Sequence, residues 1–283
     1  MHDYTKEMNM FFELRDTPAS SRKSYLRRLK AFLEFIQAKE QASDVTLKDV
    51  QDYILYLKQE KGLSPGSINN YISAIRFFYT HILGKEWDKK QVPRMKRANK
   101  LPVIPPKQDV KAMLTAVVNL KHKAVLALIY GSGLRVSEVA RLKMGDICSK
   151  TMRVRVENAK HGTNRYTILS QHALVILRDY YRANFTFSKP DDWLFPGQRP
   201  GEHLTVKSIK NTLIKIRNKL GLDARISAHT LRHAFATHCL EDGTDPVFIQ
   251  QMLGHKTLKT TTDFYLHLTS KSLIGVLSPL DAQ

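Results

Sequence analysis

Residues 152–168 read MRVRVENAKHGTNRYTI. Met152-Arg153-Val154-Arg155-Val156 alternates apolar and charged residues with the period of a strand, and Arg165-Tyr166-Thr167-Ile168 resumes the texture. Lys160-His161-Gly162-Thr163-Asn164 between them is rich in turn formers, so the stretch predicts a β-hairpin. On both sides the patterns are helical. Asp109 to Val118 and His122 to Tyr130 precede it; segments 172–182, 205–219, 230–240, 246–253 and 257–265 follow. The fold class expected is mainly α, with a small β-sheet set into the second part of the chain.

The first part reads as a helical bundle. Thr17 or Ser20 is positioned to cap a helix with Tyr25, Leu29, Phe32, Leu33 and Ile36 on one face and Arg22, Lys23, Arg27, Arg28 and Lys30 on the other. Thr46 is placed to cap a second helix carrying Val50, Ile54, Leu55 and Leu57, which Gly62 ends. Ser64 opens a third, with Ile68, Tyr71, Ile72, Ile75 and Phe78 as its apolar stripe. Between the two parts, residues 92–107 read VPRMKRANKLPVIPPK, with four prolines and five basic residues. Proline resists helix continuation, and this composition predicts an exposed connector lying on a polyanion.

Charge narrows the partners. The 283 residues carry 45 Lys+Arg against 26 Asp+Glu, a net charge of +19. Residues 1–100 hold 19 basic and 12 acidic side chains, giving +7, and the remaining +12 lies beyond them. Two basic halves suggest that both grip one long polyanion, nucleic acid before an anionic membrane. No run of about 18 apolar residues occurs, so no membrane span is expected. Met1 to Met10 is polar and lacks the apolar core of a signal peptide. Cys148 and Cys239 form no CxxC pair; they read as small buried hydrophobes in a reducing, cytoplasmic setting.

Four features carry chemistry. They are Gly131-Ser132-Gly133-Leu134-Arg135-Val136-Ser137-Glu138, then Lys160, then His229-Thr230-Leu231-Arg232-His233, then Leu253-Gly254-His255 with Tyr265 ten residues after the histidine. Two guanidiniums suit the non-bridging oxygens of a phosphate. Histidines pass protons, a lysine reaches a leaving oxygen, and a tyrosine attacks phosphorus and holds it covalently. Phosphoryl transfer gains most from such positioning and charge. Singly, each residue has a plainer reading. Arg135 pairs with Glu138 on a helix turn, His229 sits at a helix start, Arg232 is a solvated charge, and Tyr265 is core.

In order and spacing these motifs resemble the tyrosine recombinase, or phage-integrase, family over nearly the whole chain. The matches are G-x-G-L-R-x-S-E at 131–138, H-x-x-R-H at 229–233 and L-G-H at 253–255. The run SPGSINNYISAIRFFY at 64–79 is similar to the family's helical core-binding domain. Xer-type recombinases, integron integrases and transposon cointegrate resolvases are nearest in layout. The resemblance implies a two-domain DNA clamp: a core-binding domain over 1–91, a linker over 92–107, and a catalytic domain with a C-terminal tail over 108–283. It implies that Arg135 and Arg232 clamp the phosphate and that Lys160 protonates the 5′-oxygen, with Arg165 completing the hairpin pattern. It further implies that His229 assists proton transfer, His255 hydrogen-bonds the phosphate, Glu138 buttresses the site and Tyr265 is the nucleophile. No cofactor, metal or ATP is implied. The implied partners are double-stranded DNA with an inverted-repeat core site and three further copies of the chain, a homotetramer on two sites. The apolar tail (Leu273, Ile274, Val276, Leu277, Leu280) docks on a neighbour or on its own domain. The approach from His255 to Tyr265 is one residue longer than is usual, and Gly162 sits one position later.

Three other readings use the same residues. A type IB topoisomerase shares the chemistry, a DNA-binding protein without activity shares the charge, and a metallohydrolase would use His229, His233 and His238.

Overall fold

The computed structural model describes residues 4–36, 44–96, 103–157 and 164–254, and the chain divides into two compact units, Met1–Lys100 and Leu101–Gln283. Among the described residues the first unit holds four helices: α1 (Thr5–Leu14), α2 (Ala19–Phe35), α3 (Leu47–Gln59) and α4 (Pro65–His81). Met8, Phe12, Leu29, Phe32, Val50, Tyr53, Ile68, Ile75 and Phe78 fill its core. The caps of α3 and α4 follow the sequence. The Asp49 N–H donates to the Thr46 hydroxyl, the Thr46 N–H donates to the Asp49 carboxylate at 2.7 Å, and the Ser64 hydroxyl accepts from Ser67.

Two expectations here are corrected. The start of α2 uses neither Thr17 nor Ser20: Pro18 stands at the cap, and its carbonyl accepts from the N–H groups of Ser21 and Arg22. On α3, Leu55 faces solvent and Tyr53 takes the core position, because Tyr53 lies against the rings of Phe32 and Tyr71. Helix α1 carried no capping signal and was not foreseen; Met8 and Phe12 anchor it to the core.

The start of the basic Pro-rich stretch is not exposed throughout. Val92 is buried, and the backbone of Met95 is held by the buried Asn69 side chain. Asn69 Nδ2 donates to the Met95 carbonyl at 2.9 Å and its Oδ1 accepts from the Met95 N–H at 2.9 Å. An amide side chain facing an extended backbone reproduces a strand pair, so residues 92–95 belong to the first unit's packing. At the other end, Lys107 already lies in a helix of the second unit.

That unit holds α5 (Lys107–Ala116), α6 (Leu120–Gly131), α7 (Val136–Ala140), β1 (Ile147–Cys148), β2 (Arg153–Val156), β3 (Arg165–Ile168), α8 (Gln171–Asn184), α9 (Val206–Lys219), α10 (Ala228–Glu241) and α11 (Pro246–Leu253). Helix α6 is buried on all sides, with Ala124 to Ile129 in an unbroken run, which makes it the central post. It packs against α8, α10, α7 and α9. The hairpin gains a third strand: antiparallel order is β1-β2-β3, with Val154 opposite Thr167 and Val156 opposite Arg165. Cys148, on β1, is exposed rather than buried, and Cys239 is half-buried.

The alternation in β3 is inverted. Arg165 and Thr167 point inward while Tyr166 and Ile168 are exposed. A strand with polar residues inward must satisfy them with partners. Thr167 donates to the Ser132 carbonyl at 2.8 Å, and Arg165 reaches across the sheet face to α7 and α11.

Candidate active site

Three separated motifs meet at one carboxylate. Glu138, in the first turn of α7, has a side chain only 7% exposed. It accepts the Arg135 N–H at 2.8 Å, which closes the helix start, and Arg135 Nη1 at 2.7 Å. Arg165 approaches end-on, Nη1 to Oε1 at 3.0 Å and Nη2 to Oε2 at 2.7 Å. Arg232 Nη1 lies 3.5 Å from Oε2. Three guanidiniums and one carboxylate leave a net charge of +2 in a largely buried cluster.

Burial alone would push the Glu138 carboxyl up. The hydrogen bond and charge of Arg165, and the bonds from Arg135, outweigh it and bring the pKa to about 2. For Arg232, burial and then the charge of Arg135 lower the pKa to about 9, with Glu138 opposing and Arg165 adding. The guanidinium is therefore still protonated at neutral pH. Arg135 is the most exposed of the three, with 29% of its side chain accessible, so it is the one that faces a ligand most openly.

Arg232 knits the motifs together. It sits in the first turns of α10, whose start Ser227 caps by accepting from the Thr230 N–H. Its Nη1 donates to the Gly133 carbonyl at 2.7 Å and its Nη2 to the Leu253 carbonyl at 2.6 Å. The loop before Arg135 and the end of α11 thus hang on one side chain. Both glycines beside these carbonyls are sterically required. Gly133 has φ +63°, and a Cβ there would lie 2.5 Å from the Phe235 ring. Gly254 ends α11 in the left-handed conformation, and a Cβ would lie 2.9 Å from Arg165 Cδ.

His229 precedes Arg232 by three residues on the same helix, and its ring meets that of His233 edge-on at 4.1 Å. Desolvation, then the charges of Arg232 and Arg135, hold its pKa below the ordinary imidazole value. A neutral ring can accept a proton, which suits the expected role. His238 is nine residues on from His229, half a turn away on the helix, and its Nδ1 meets the Tyr130 hydroxyl at 2.9 Å. Among the described residues no three His, Cys, Asp or Glu side chains are grouped to hold a metal ion.

Arg135, His229 and Arg232 are therefore brought together, with Glu138 between the two arginines. Lys160, His255 and Tyr265, the helix expected over 257–265 and the apolar tail lie outside the described residues. Sequence reasoning gave Arg165 no role of its own. Two signals were available: its match to the hairpin pattern, and a charged residue at an alternate position of a strand, where one face must be inward.

A largely buried, net-positive cluster of arginines has the chemistry to hold an anion. Comparison with known proteins supplies the class. Residues 106–272 match the model of the phage integrase family, and residues 5–89 match that of the phage integrase N-terminal SAM-like domain. The protein y4qK of Sinorhizobium fredii is 37% identical over 98% of this chain and 88% of its own. Tyrosine recombinase XerA of Pyrococcus horikoshii is 30% identical over 96% of this chain and 91% of its own. Two solved structures share the fold. One is the Tn1549 transposon integrase in complex with transposon right-end DNA, with TM-score 0.72, 20% identity, and 96% and 99% of the two chains covered. The other is XerH recombinase bound to difH substrate, with TM-score 0.71, 20% identity, and 95% and 84% covered. The chain belongs to the phage integrase family and is a recombinase of the tyrosine type.

Proposed function

We propose that this recombinase cleaves and rejoins double-stranded DNA at an inverted-repeat core site, using Tyr265 as nucleophile. The observation that carries the reading is the Glu138-centred cluster, which brings Arg135 and Arg232 to one point from segments 97 residues apart. Their guanidiniums neutralise the two non-bridging oxygens of the scissile phosphate. The Tyr265 hydroxyl attacks phosphorus and loses its proton with the help of His229. The P–O5′ bond breaks, the leaving oxygen takes a proton from Lys160, and His255 donates a hydrogen bond to the phosphate. The product is a 3′-phosphotyrosyl link and a free 5′-hydroxyl. A 5′-hydroxyl of the partner duplex then attacks that link and releases Tyr265. The phosphodiester energy is retained in the covalent link, so the exchange consumes no ATP. Four protomers on two sites, in the cytoplasm and on DNA, is the assembly that fits paired strand exchange.

The test is covalent capture. Wild-type protein is incubated with fragmented genomic DNA, and adducts that survive detergent are isolated and sequenced. The recovered site is then rebuilt as a nicked suicide duplex. Wild type should form the adduct and Tyr265→Phe should not. An adduct with Tyr265→Phe overturns the nucleophile, and no adduct with wild type overturns the activity.

A further inference from the structure

We infer that Arg165 is a positioning residue of the cleavage site, which engages the Glu138 carboxylate so that Arg135 and Arg232 keep their charge for the phosphate. The inference rests on the phosphoryl-transfer reading above. Each of the three nitrogens of the Arg165 guanidinium donates a hydrogen bond inside the protein. Nη1 and Nη2 take one oxygen each of Glu138, and Nε donates to the Met252 carbonyl at 2.8 Å. With 8% of its side chain exposed, Arg165 offers nothing to a ligand directly. Its effect must pass through what it holds.

It holds two things. The first is the carboxylate. Arg165 is the one guanidinium of the three matched fork-to-fork with Glu138. Arg135 shares a single oxygen, and Arg232 stands 3.5 Å off, its own hydrogen bonds going to the Gly133 and Leu253 carbonyls. Without Arg165, the freed oxygens can close side-on against Arg135. The cluster then falls from +2 to +1, and the most exposed arginine becomes the neutralised one. The second is the end of α11. Gly254 lies directly against Arg165 Cδ, and the Met252 carbonyl is anchored by Nε, so Arg165 also sets where the chain leaves α11. A lysine has one ammonium and no fork, so it keeps the charge but cannot make all three bonds.

The test compares two scissile linkages in the nicked suicide duplex recovered by covalent capture, using the full chain. One is the ordinary phosphodiester. The other is a methylphosphonate, in which a methyl group replaces one non-bridging oxygen and the charge is gone. Arg165→Met should cleave the phosphodiester roughly 30-fold more slowly in single turnover, the order of effect expected when the cluster loses one of its two net positive charges at an effective dielectric of about 20. On the methylphosphonate the deficit should shrink to about threefold or less, since little charge remains to be matched. Arg165→Lys should show a smaller phosphodiester deficit with the same compression, and it carries the comparison if Arg165→Met does not fold. Equal deficits on both linkages, the signature of a merely structural loss, overturn the inference, as does an unimpaired Arg165→Met. Failure of wild type to form an adduct on either linkage refutes the recombination reading instead.

Discussion

Replacing Glu138 by glutamine keeps the side chain's shape and removes the one negative charge in the cluster. Arg165 and Arg232 then remain almost wholly buried, at 8% and 3% exposure, without their counter-charge. Two routes give the size of the effect. The carboxyl titrates at about 2 rather than 4.5. That gap converts, at ~1.4 kcal/mol per pH unit, to about 3 kcal/mol. Removing one partner of a buried ion pair costs about 3–5 kcal/mol in general. The side chain's 7% exposure leaves little solvent screening to discount. Glu138→Gln should therefore lose about 3 kcal/mol at neutral pH. Because the folded-state pKa is depressed, the stabilisation is complete above about 4.5 and is lost as pH falls towards 2. The gap between wild type and variant should narrow over that window and close at its lower end. The chain has two tryptophans, Trp87 in the first unit and Trp193 in the second. In a Trp87→Phe background, urea unfolding followed by fluorescence reports the second unit alone. A gap below about 1 kcal/mol at neutral pH, the level of an exposed pair, would refute the reasoning. So would a gap unchanged down to about pH 3.

The same assay tests Gly133→Ala, where the φ of +63° and the 2.5 Å approach to Phe235 should cost about 2–4 kcal/mol; a loss under ~1 kcal/mol means the ring moves freely aside. In the first unit, with Trp87 as reporter, Asn69→Ala should cost about 1–2 kcal/mol by breaking both bonds to Met95. The variant should also be cut faster by trypsin at Arg94 and Lys96, and unchanged proteolysis would disprove the anchoring. His229 should titrate below 6.5 in an NMR pH series, because desolvation and then Arg232 and Arg135 oppose its charging, and Arg135→Gln should raise the midpoint. With a lowered folded-state pKa, His229 makes the fold less stable as pH drops below 6.5, not above it.

Much of the architecture was legible because it rests on local rules. Thr46 and Ser64 start α3 and α4 as capping chemistry dictates, and β2, β3 and α11 fall within a residue of the segments read from periodicity. What escaped had weak local signals. Helix α1 lacks a cap, α7 has five residues, and β1 has two and forms only as a partner to β2. Pro18, rather than either hydroxyl residue, stands at the cap of α2, where no side chain caps the helix.

The site divides along the same line. The family resemblance in order and spacing proposed Arg135, His229 and Arg232 for the site, and spacing alone offered the Arg135–Glu138 pair that the structure contains, since neighbours on one helical turn need no tertiary help. Periodicity also showed that β3 has two faces. It could not show that Arg165 and Thr167 lie on the inner one, because alternation is symmetric and only packing breaks the tie. That choice was made by the Glu138 carboxylate, the Met252 carbonyl and the Ser132 carbonyl, three partners that the fold brings to β3 from distant segments. A buried guanidinium is stable only where such partners already stand, and their meeting is a property of the tertiary structure.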